Sequence, residues 1–412
     1  MVKILKKKVV SKIAKSTKTK TKPKVKGPVK NTKIKINKKV PKKVLVKVVK
    51  KVVTKKSKKI GKVPLGKESS RATLQRSLQN PIIKPRLYSW ESKATLNPTA
   101  FFSNGKIHIL YRAIGHDDVS VLGYASSYDG YHIQERPTYH AYKRPFLTSK
   151  IGRKISYTSG GGWSGGCEDP KITLIGDTLY MLYTAFDGWS SVRIAMTSIS
   201  LENFKKHRWS LWEKPVLISP PGVLNKNWGF FPEKINGKFA LIHGIAPKIL
   251  VNYFDTLDVF DGNFFIESVS HHDRERAIDE TGIRSMGPVP IRTRLGWLVL
   301  YHVTEPHDRS RYKLFAMILD IKDPTKILYR SPGPVLSPDE NYENEGHKAG
   351  IVYSCGAVIK DARLFVYYGG ADTVTCVASI PLEELLSSLE KHQNIKLKNN
   401  KTIKLPPIKE KL

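Results

Sequence analysis

The chain has 412 residues, 40% of them hydrophobic, enough for one large domain or two to three ordinary ones, and it contains no apolar run of about 18 residues, which excludes a membrane-spanning helix. Its net charge of +36 is unevenly placed: residues 1–67 hold 27 lysines, no arginine and no acid, which leaves 36 − 27 = +9 for everything after Lys67. Three cysteines (Cys167, Cys355 and Cys376) are too few and too odd in number for a disulfide framework, so a reducing, cytoplasmic setting is expected.

In chain order, residues 1–67 come first as Lys/Val/Thr/Pro sequence without an aromatic residue. Self-repulsion and the lack of bulky apolar groups predict a disordered arm. Lysines run through what would be the apolar part of a secretory signal, so it is not one. The arm suits weak, non-specific binding to polyanions, or a purely solvating role. Without Arg or aromatics it has nothing to stack on bases or grip phosphate bidentately.

Residues 68–392 differ abruptly, with acids, aromatics and glycines throughout. One unit, two apolar strands around a tight turn, recurs five times: AFFSNGKIHILYRA (100–113), KITLIGDTLYMLYTA (171–185), EKINGKFALIHG (233–244), PIRTRLGWLVLYHV (290–303) and AVIKDARLFVYYGG (357–370). Three of the turns, Asn104-Gly105, Gly176-Asp177 and Asn236-Gly237, have strong hairpin chemistry. A third strand follows most copies (121–127, 193–198, 313–320 and 373–380); the third copy offers only a poor match near Leu257–Phe260. Five meanders spaced about 60 residues apart predict an all-β, five-bladed propeller; a β-sandwich, the competing fold, does not require five similar hairpins. The one convincing helix is PLEELLSSLEKH (381–392), amphipathic by its spacing, and residues 393–412 form a second basic tail.

In a propeller, equivalent positions of successive blades surround one central funnel. The polar residues ending the second strands (Arg112, Thr184, His243, His302 and Tyr368) are equivalent in this sense, as are the entries to the first strands, Asn97-Pro98, Glu168-Asp169-Pro170, Phe231-Pro232-Glu233, Gly287-Pro288 and Ser354-Cys355-Gly356. Each alone reads as a satisfied strand end or a turn, Asp169-Pro170 included. Five matched sets are harder to explain structurally, because buried polar groups need partners. Hydroxyl-recognising groups with Tyr88, Trp90, Trp163, Trp189, Trp228 and Tyr301 nearby suit a sugar, although core packing accounts for about half of such aromatics.

These motifs resemble those of the family 130 glycoside phosphorylases and hydrolases, which act on β-mannosides with a five-bladed propeller. The resemblance runs from about Leu96 to Leu386 and rests on LNPTA (96–100), ILYRA (109–113), GGCEDPKI (165–172), YTAFDG (183–188), FFPEKINGKFALIH (230–243), GPVPIRT (287–293), WLVLYH (297–302) and YYGGADT (367–373). It implies that Asp169 is the general acid and that Asn97, Arg112, Glu168 and Asp372 bind the sugar; His243 and Tyr368, from the strand-end set, are further candidate sugar ligands. Inorganic phosphate is then the co-substrate, attacking with inversion to give α-mannose 1-phosphate, with no cofactor. Lys226, Arg292 and His302 match the phosphate site. The family's Arg after the histidine is replaced by Gly244, with Arg193 and Lys234 as candidates to stand in. The alternatives are an inverting β-mannosidase, with Glu233 or Glu280 as the base activating water, and a sugar-binding propeller without chemistry. For Asp169 to hold a proton at neutral pH it needs burial or a like charge; Glu168 is adjacent, and the sequence leaves the outcome open, as it does oligomer formation. His271-His272-Asp273 reads as a solvated turn rather than a metal site. GGGWSGG (160–166) lacks the Lys and helix of a phosphate-binding loop.

Overall fold

A computed structural model describes residues 72–144, 166–186, 192–268, 282–305 and 307–392. The chain separates into two units, Met1–Pro64 and Leu65–Leu412, and all described residues lie in the second. The arm, the C-terminal tail, Trp163, Trp189, Glu280, the 271–273 trio and most of the 160–166 glycine run fall outside the described residues.

The second unit is a five-bladed β-propeller. A short strand β1 (Gln75–Arg76) precedes the first blade, β2 (Ala94–Ser103), β3 (Lys106–Ile114) and β4 (Ser120–Ser127). Blade two is β5 (Cys167–Ile175), β6 (Thr178–Phe186), β7 (Val192–Ser200) and β8 (Val216–Leu217), with helix α1 (Leu201–Lys205) after β7. Blade three is β9 (Gly229–Phe230), β10 (Phe239–Gly244) and β11 (Leu250–Phe254). In blade four, β12 (Ile283–Met286) and β13 (Ile291–Thr293) both pair with β14 (Gly296–Thr304), followed by β15 (Tyr312–Leu319) and β16 (Ile327–Arg330). After helix α2 (Asn341–Asn344), blade five is β17 (Val352–Lys360), β18 (Arg363–Gly370) and β19 (Val374–Pro381), and helix α3 (Leu382–Lys391) follows. Neighbouring strands within each blade are antiparallel.

The hydrophobic core shows why these strands form a ring. Blades one and two share the cluster of Phe101, Leu110, Ile172 and Met181. Ile194, Leu241 and Phe254 join two to three, Ile242, Val299 and Met317 join three to four, and Leu300, Leu314, Val366 and Leu385 join four to five. Ile109, Tyr111, Phe365 and Tyr367 close five onto one. A sandwich would enclose one core, whereas here five wedges complete a cycle. Each blade is buried on both faces, so its strands read as near-continuous apolar runs rather than alternating ones.

Closure is completed by β1, whose Gln75 and Arg76 pair with Ser379 and Ala378 of β19. Arg76 donates to both carboxylate oxygens of fully buried Glu343 at 2.8 Å. The third strand of blade three is Leu250–Phe254, not the expected Leu257–Phe260; the latter residues lie in a bend and feed the wedge between blades two and three.

Candidate functional site

The site is built from two matching irregularities. In β2 the register shifts between Leu96 and Thr99, so that Asn97-Pro98 stands opposite Tyr111 alone. In β5 it shifts between Glu168 and Lys171, so that Asp169-Pro170 stands opposite Tyr183 alone. Proline has no N–H for the ladder and forces a bulge. The preceding Asn97 and Asp169 adopt φ of 45° and 48°, a left-handed conformation that Asn and Asp tolerate better than most residues. The bulges turn both side chains out of the strand plane toward one another, and Asn97 Nδ2 donates to Asp169 Oδ1 at 2.8 Å.

Glycines set the spacing between blades. Gly166, with φ of 98°, bridges to Ser120, and a Cβ there would stand 2.3 Å from the Ser120 carbonyl oxygen. This approach brings the Glu168-Asp169 segment against Arg112 on β3. Arg112 is buried; its Nη1 donates to Asp169 Oδ1 at 3.2 Å, its Nε to Ser120 Oγ at 2.9 Å, and its Nη2 lies 3.4 Å from Glu168 Oε1. On the other side, a Cβ on Gly369 would stand 2.4 Å from Asn97 Oδ1, so β18 also presses on the site. The turn after it carries Asp372, at φ of 50°, 3.6 Å from the Lys348 ammonium. Lys226 Nζ stands 4.0 Å from Glu168 Oε2.

Three buried carboxylates thus meet a cluster of cations. Burial alone would raise Asp169, but Arg112, then Lys226, the Asn97 hydrogen bond and Lys171 together hold its carboxyl below the usual range. Asp372 goes the other way, because burial pushes it up more than Lys348 and Arg112 pull it down. Several buried polar atoms on these segments and beside Lys226 lack hydrogen-bond partners among the described residues: Asn97 Oδ1, Arg112 Nη2, Thr184 Oγ1, Asn225 Oδ1 and Asn227 Oδ1. Such groups are costly unless a ligand or water completes them.

Asn97, Arg112, Glu168, Asp169 and Asp372 are therefore brought together, with Lys226 at their edge. Other expected site residues are not. Arg292 sits on β13 opposite Trp297, five residues along β14 from His302, roughly 17 Å at the rise of a strand. It is half exposed and paired with Glu233 at 2.7 Å. Both residues belong to the hairpin-turn end of their blades, which removes Arg292 from the phosphate set and Glu233 from the candidate bases. Lys234, at the same end of blade three, lies over the Phe239 ring. Tyr368 is fully buried on the face of blade five toward blade four, where its hydroxyl donates to Glu343 Oε1 at 2.7 Å; it is a structural residue, not a sugar ligand. His302 is fully buried and uncharged: Ser354 N–H donates to its Nε2 at 3.0 Å, so Nδ1 carries the proton toward Ser285 Oγ at 3.1 Å. Burial and the charge of Lys171 pull it down to about 3, so it offers phosphate no cation. His243 lies against the Trp228 ring and within 2.8 Å of Asn252 Oδ1. Arg193 is held by the Ser219 carbonyl. Among the aromatics, Tyr301 is core, Trp90 donates to the Thr138 carbonyl, and Tyr88 is exposed beneath Arg86.

The sequence reading missed Lys171, Lys348, Asn225 and Asn227. A lysine inside the otherwise apolar KITLI strand was the available signal for Lys171, which is almost fully buried. Lys348 and the two asparagines lie in irregular segments whose partners are distant in sequence, so no local pattern marks them.

A family model described as beta-1,4-mannooligosaccharide phosphorylase matches residues 56–391. The chain is 34% identical to the beta-1,2-mannobiose phosphorylase of Thermoanaerobacter sp. (strain X514) over 76% of this chain and 98% of that protein. It is 32% identical to the 1,2-beta-oligomannan phosphorylase of the same strain, with the same coverage. Among solved structures, the beta-1,2-mannobiose phosphorylase from Listeria innocua in complex with beta-1,2-mannobiose superimposes with a TM-score of 0.57 at 23% identity, covering 77% of this chain and 99% of that one.

Proposed function

Since the chain belongs to glycoside hydrolase family 130, the mannoside phosphorylase family, we propose that it cleaves β-mannosides by phosphorolysis with inversion, releasing α-mannose 1-phosphate. The observation that carries the reading is the buried Asn97–Asp169–Arg112 constellation, in which Asn97 Oδ1 and Arg112 Nη2 have no hydrogen-bond partner among the described residues. Asp169 is the general acid, delivering a proton to the departing glycosidic oxygen directly or through a sugar hydroxyl. Asn97, Arg112, Glu168 and Asp372 hold the sugar of the cleaved subsite. Phosphate, which needs cationic donors, sits on the Lys226 side, where Asn225 and Asn227 keep unused acceptors for bound water or an acceptor-sugar hydroxyl.

In the ligand-free site Asp169 is held ionised by Arg112 and Lys226 against the effect of burial. An arriving phosphate competes for the same cations and adds negative charge, which raises the aspartate toward the protonated form. Substrate binding therefore loads the acid, and no side-chain base is required because phosphate is itself the nucleophile. Both near-full-length relatives named above act on β-1,2 linkages, which favours that linkage here. The experiment is an initial-rate assay on β-1,2- and β-1,4-mannobiose with and without phosphate. Turnover that requires phosphate and is faster on the 1,2-linked sugar is expected; equal rates without phosphate contradict it.

The same reading places the protein in a reducing, cytoplasmic compartment, which its three buried free cysteines suit; no helix among the described residues is long and apolar enough to cross a membrane. Residues 1–67 serve as a weak electrostatic tether to polyanions.

A further inference from the structure

The blade-five side of the site carries a cation that the motif pattern does not assign. Residues 345–350 lie directly on the turn between β18 and β19: His347 N–H donates to Thr373 Oγ1 at 2.8 Å and Lys348 N–H to the Ala371 carbonyl at 3.0 Å. The approach is possible because residue 346 is glycine, where a Cβ would stand 2.5 Å from Thr373 Oγ1. At the other end, Gly350 and Ile351 N–H both donate to the Glu343 carbonyl, at 3.0 and 3.1 Å. The Glu343 side chain is itself locked by Arg76 and Tyr368. The loop is thus pinned at both ends by main-chain bonds, independently of its side chains.

From this loop Lys348 extends its ammonium to 3.6 Å from Asp372 Oδ2, with the lysine side chain 43% exposed and the aspartate side chain 12% exposed. Among the described residues no donor hydrogen-bonds the Asp372 carboxylate. A carboxylate accepts through two oxygens with about four lone-pair sites, so its acceptor capacity is unspent. We propose that Lys348 is a positioning residue of the sugar subsite, holding Asp372 in the ionised form that accepts hydrogen bonds from a pair of sugar hydroxyls. The inference rests on the placement of Asp372 in that subsite.

The charges facing Asp372 are Lys348 and His347 from the loop, Arg112 from β3 and Asp169 from β5. Burial and Asp169 favour its neutral form; Lys348 opposes them most strongly, then Arg112, with His347 the smallest influence. Without Lys348 the carboxyl gains a proton at a higher pH, and a neutral carboxyl is a weaker hydroxyl acceptor. The sign follows: the loss is greatest at low pH and fades as pH rises through the variant's carboxyl pKa.

The test compares wild type, Lys348→Met, Lys348→Arg and Asp372→Asn in the full chain, with β-1,2- and β-1,4-mannobiose at saturating phosphate between pH 5.5 and 8.5. For Lys348→Met we expect KM for the cleaved mannoside to rise several-fold at the low-pH end of the range, where the carboxyl takes up a proton, and to approach wild type by pH 8.5. We expect kcat to change much less, Lys348→Arg to restore KM, and thermal midpoints to stay near wild type because the main-chain anchors remain. Asp372→Asn should raise KM at every pH. If Asp372→Asn leaves KM unchanged, or neither sugar is cleaved, the placement of Asp372 fails and the inference with it. If Asp372→Asn raises KM while Lys348→Met does not, or raises it equally at all pH values, the role given to Lys348 is overturned.

Discussion

Asp169 and Asp372 are both buried carboxylates close to Arg112, yet their environments drive them apart. Asp169 shares Arg112, Lys226 and an Asn97 hydrogen bond, whereas Asp372 has a half-exposed lysine at 3.6 Å, a weaker pull from Arg112 and no hydrogen-bond donor among the described residues. Linkage turns this into a stability statement. A carboxyl raised by folding favours the native state fully below its unfolded pKa and opposes it increasingly as pH rises through the folded value. Asp372→Asn should therefore stabilise the protein at pH 7 to 8, and the gain should vanish near pH 4, while activity falls. Thermal melts of both proteins across that range check it; a variant less stable than wild type at pH 8 contradicts it. Under the proposed function, that cost is retained because Asp372 binds the sugar.

At the scale of the element, the X-Pro bulges in β2 and β5 place the chemistry, and glycines admit neighbouring strands to it. Gly166→Ala would drive a Cβ to 2.3 Å from the Ser120 carbonyl, in a backbone conformation that alanine already disfavours. The Glu168-Asp169 segment must shift relative to Arg112, so kcat should fall at least 100-fold, since misplacement by about 1 Å costs that much. Gly176→Ala, also at positive φ but facing open space, should cost about 1 kcal/mol of stability and leave kcat intact. Equal kcat values for the two variants would show that the Gly166 contact does not set the acid's position.

The hairpins were legible because their turns and apolar runs are local in sequence: Asn104-Gly105, Gly176-Asp177 and Asn236-Gly237 each sit between the strands they join. Asn97, Arg112 and Asp169 were legible for the same reason, as strand-end motifs repeated from blade to blade. What failed needed knowledge of strand faces and distant partners. Tyr368 ends its strand at the expected place, but its side chain turns into the wedge with blade four and finds Glu343. Arg292 and His302 lie on one hairpin yet at opposite ends of it. His302 lost its assigned charge to burial, which no sequence spacing reports.

For the whole molecule, closure depends on contacts that span nearly the entire propeller. Gln75 and Arg76 pair with a strand some 300 residues later, and Arg76 holds the Glu343 group from which the Lys348 loop departs. Ring closure and the Lys348 loop therefore share one anchor. The excess charge is a separate matter, since 27 of the 36 net positive charges fall in residues 1–67. Retention of the full chain on a polyanionic matrix should collapse between about 0.05 and 0.5 M salt, as counterion release dictates, with no change in the mannoside KM when the polyanion is added. Retention that resists salt would require a specific partner for the arm.

The central claim is that Asp169, loaded by an incoming phosphate, lets that phosphate displace the glycosidic oxygen from the opposite face of the sugar. Phosphorus and proton NMR of the first product formed from β-1,2-mannobiose and phosphate tests it most directly. The predicted signal is α-mannose 1-phosphate, absent in Asp169→Asn; free mannose without a sugar phosphate, or the β-anomer of the phosphate, would contradict it.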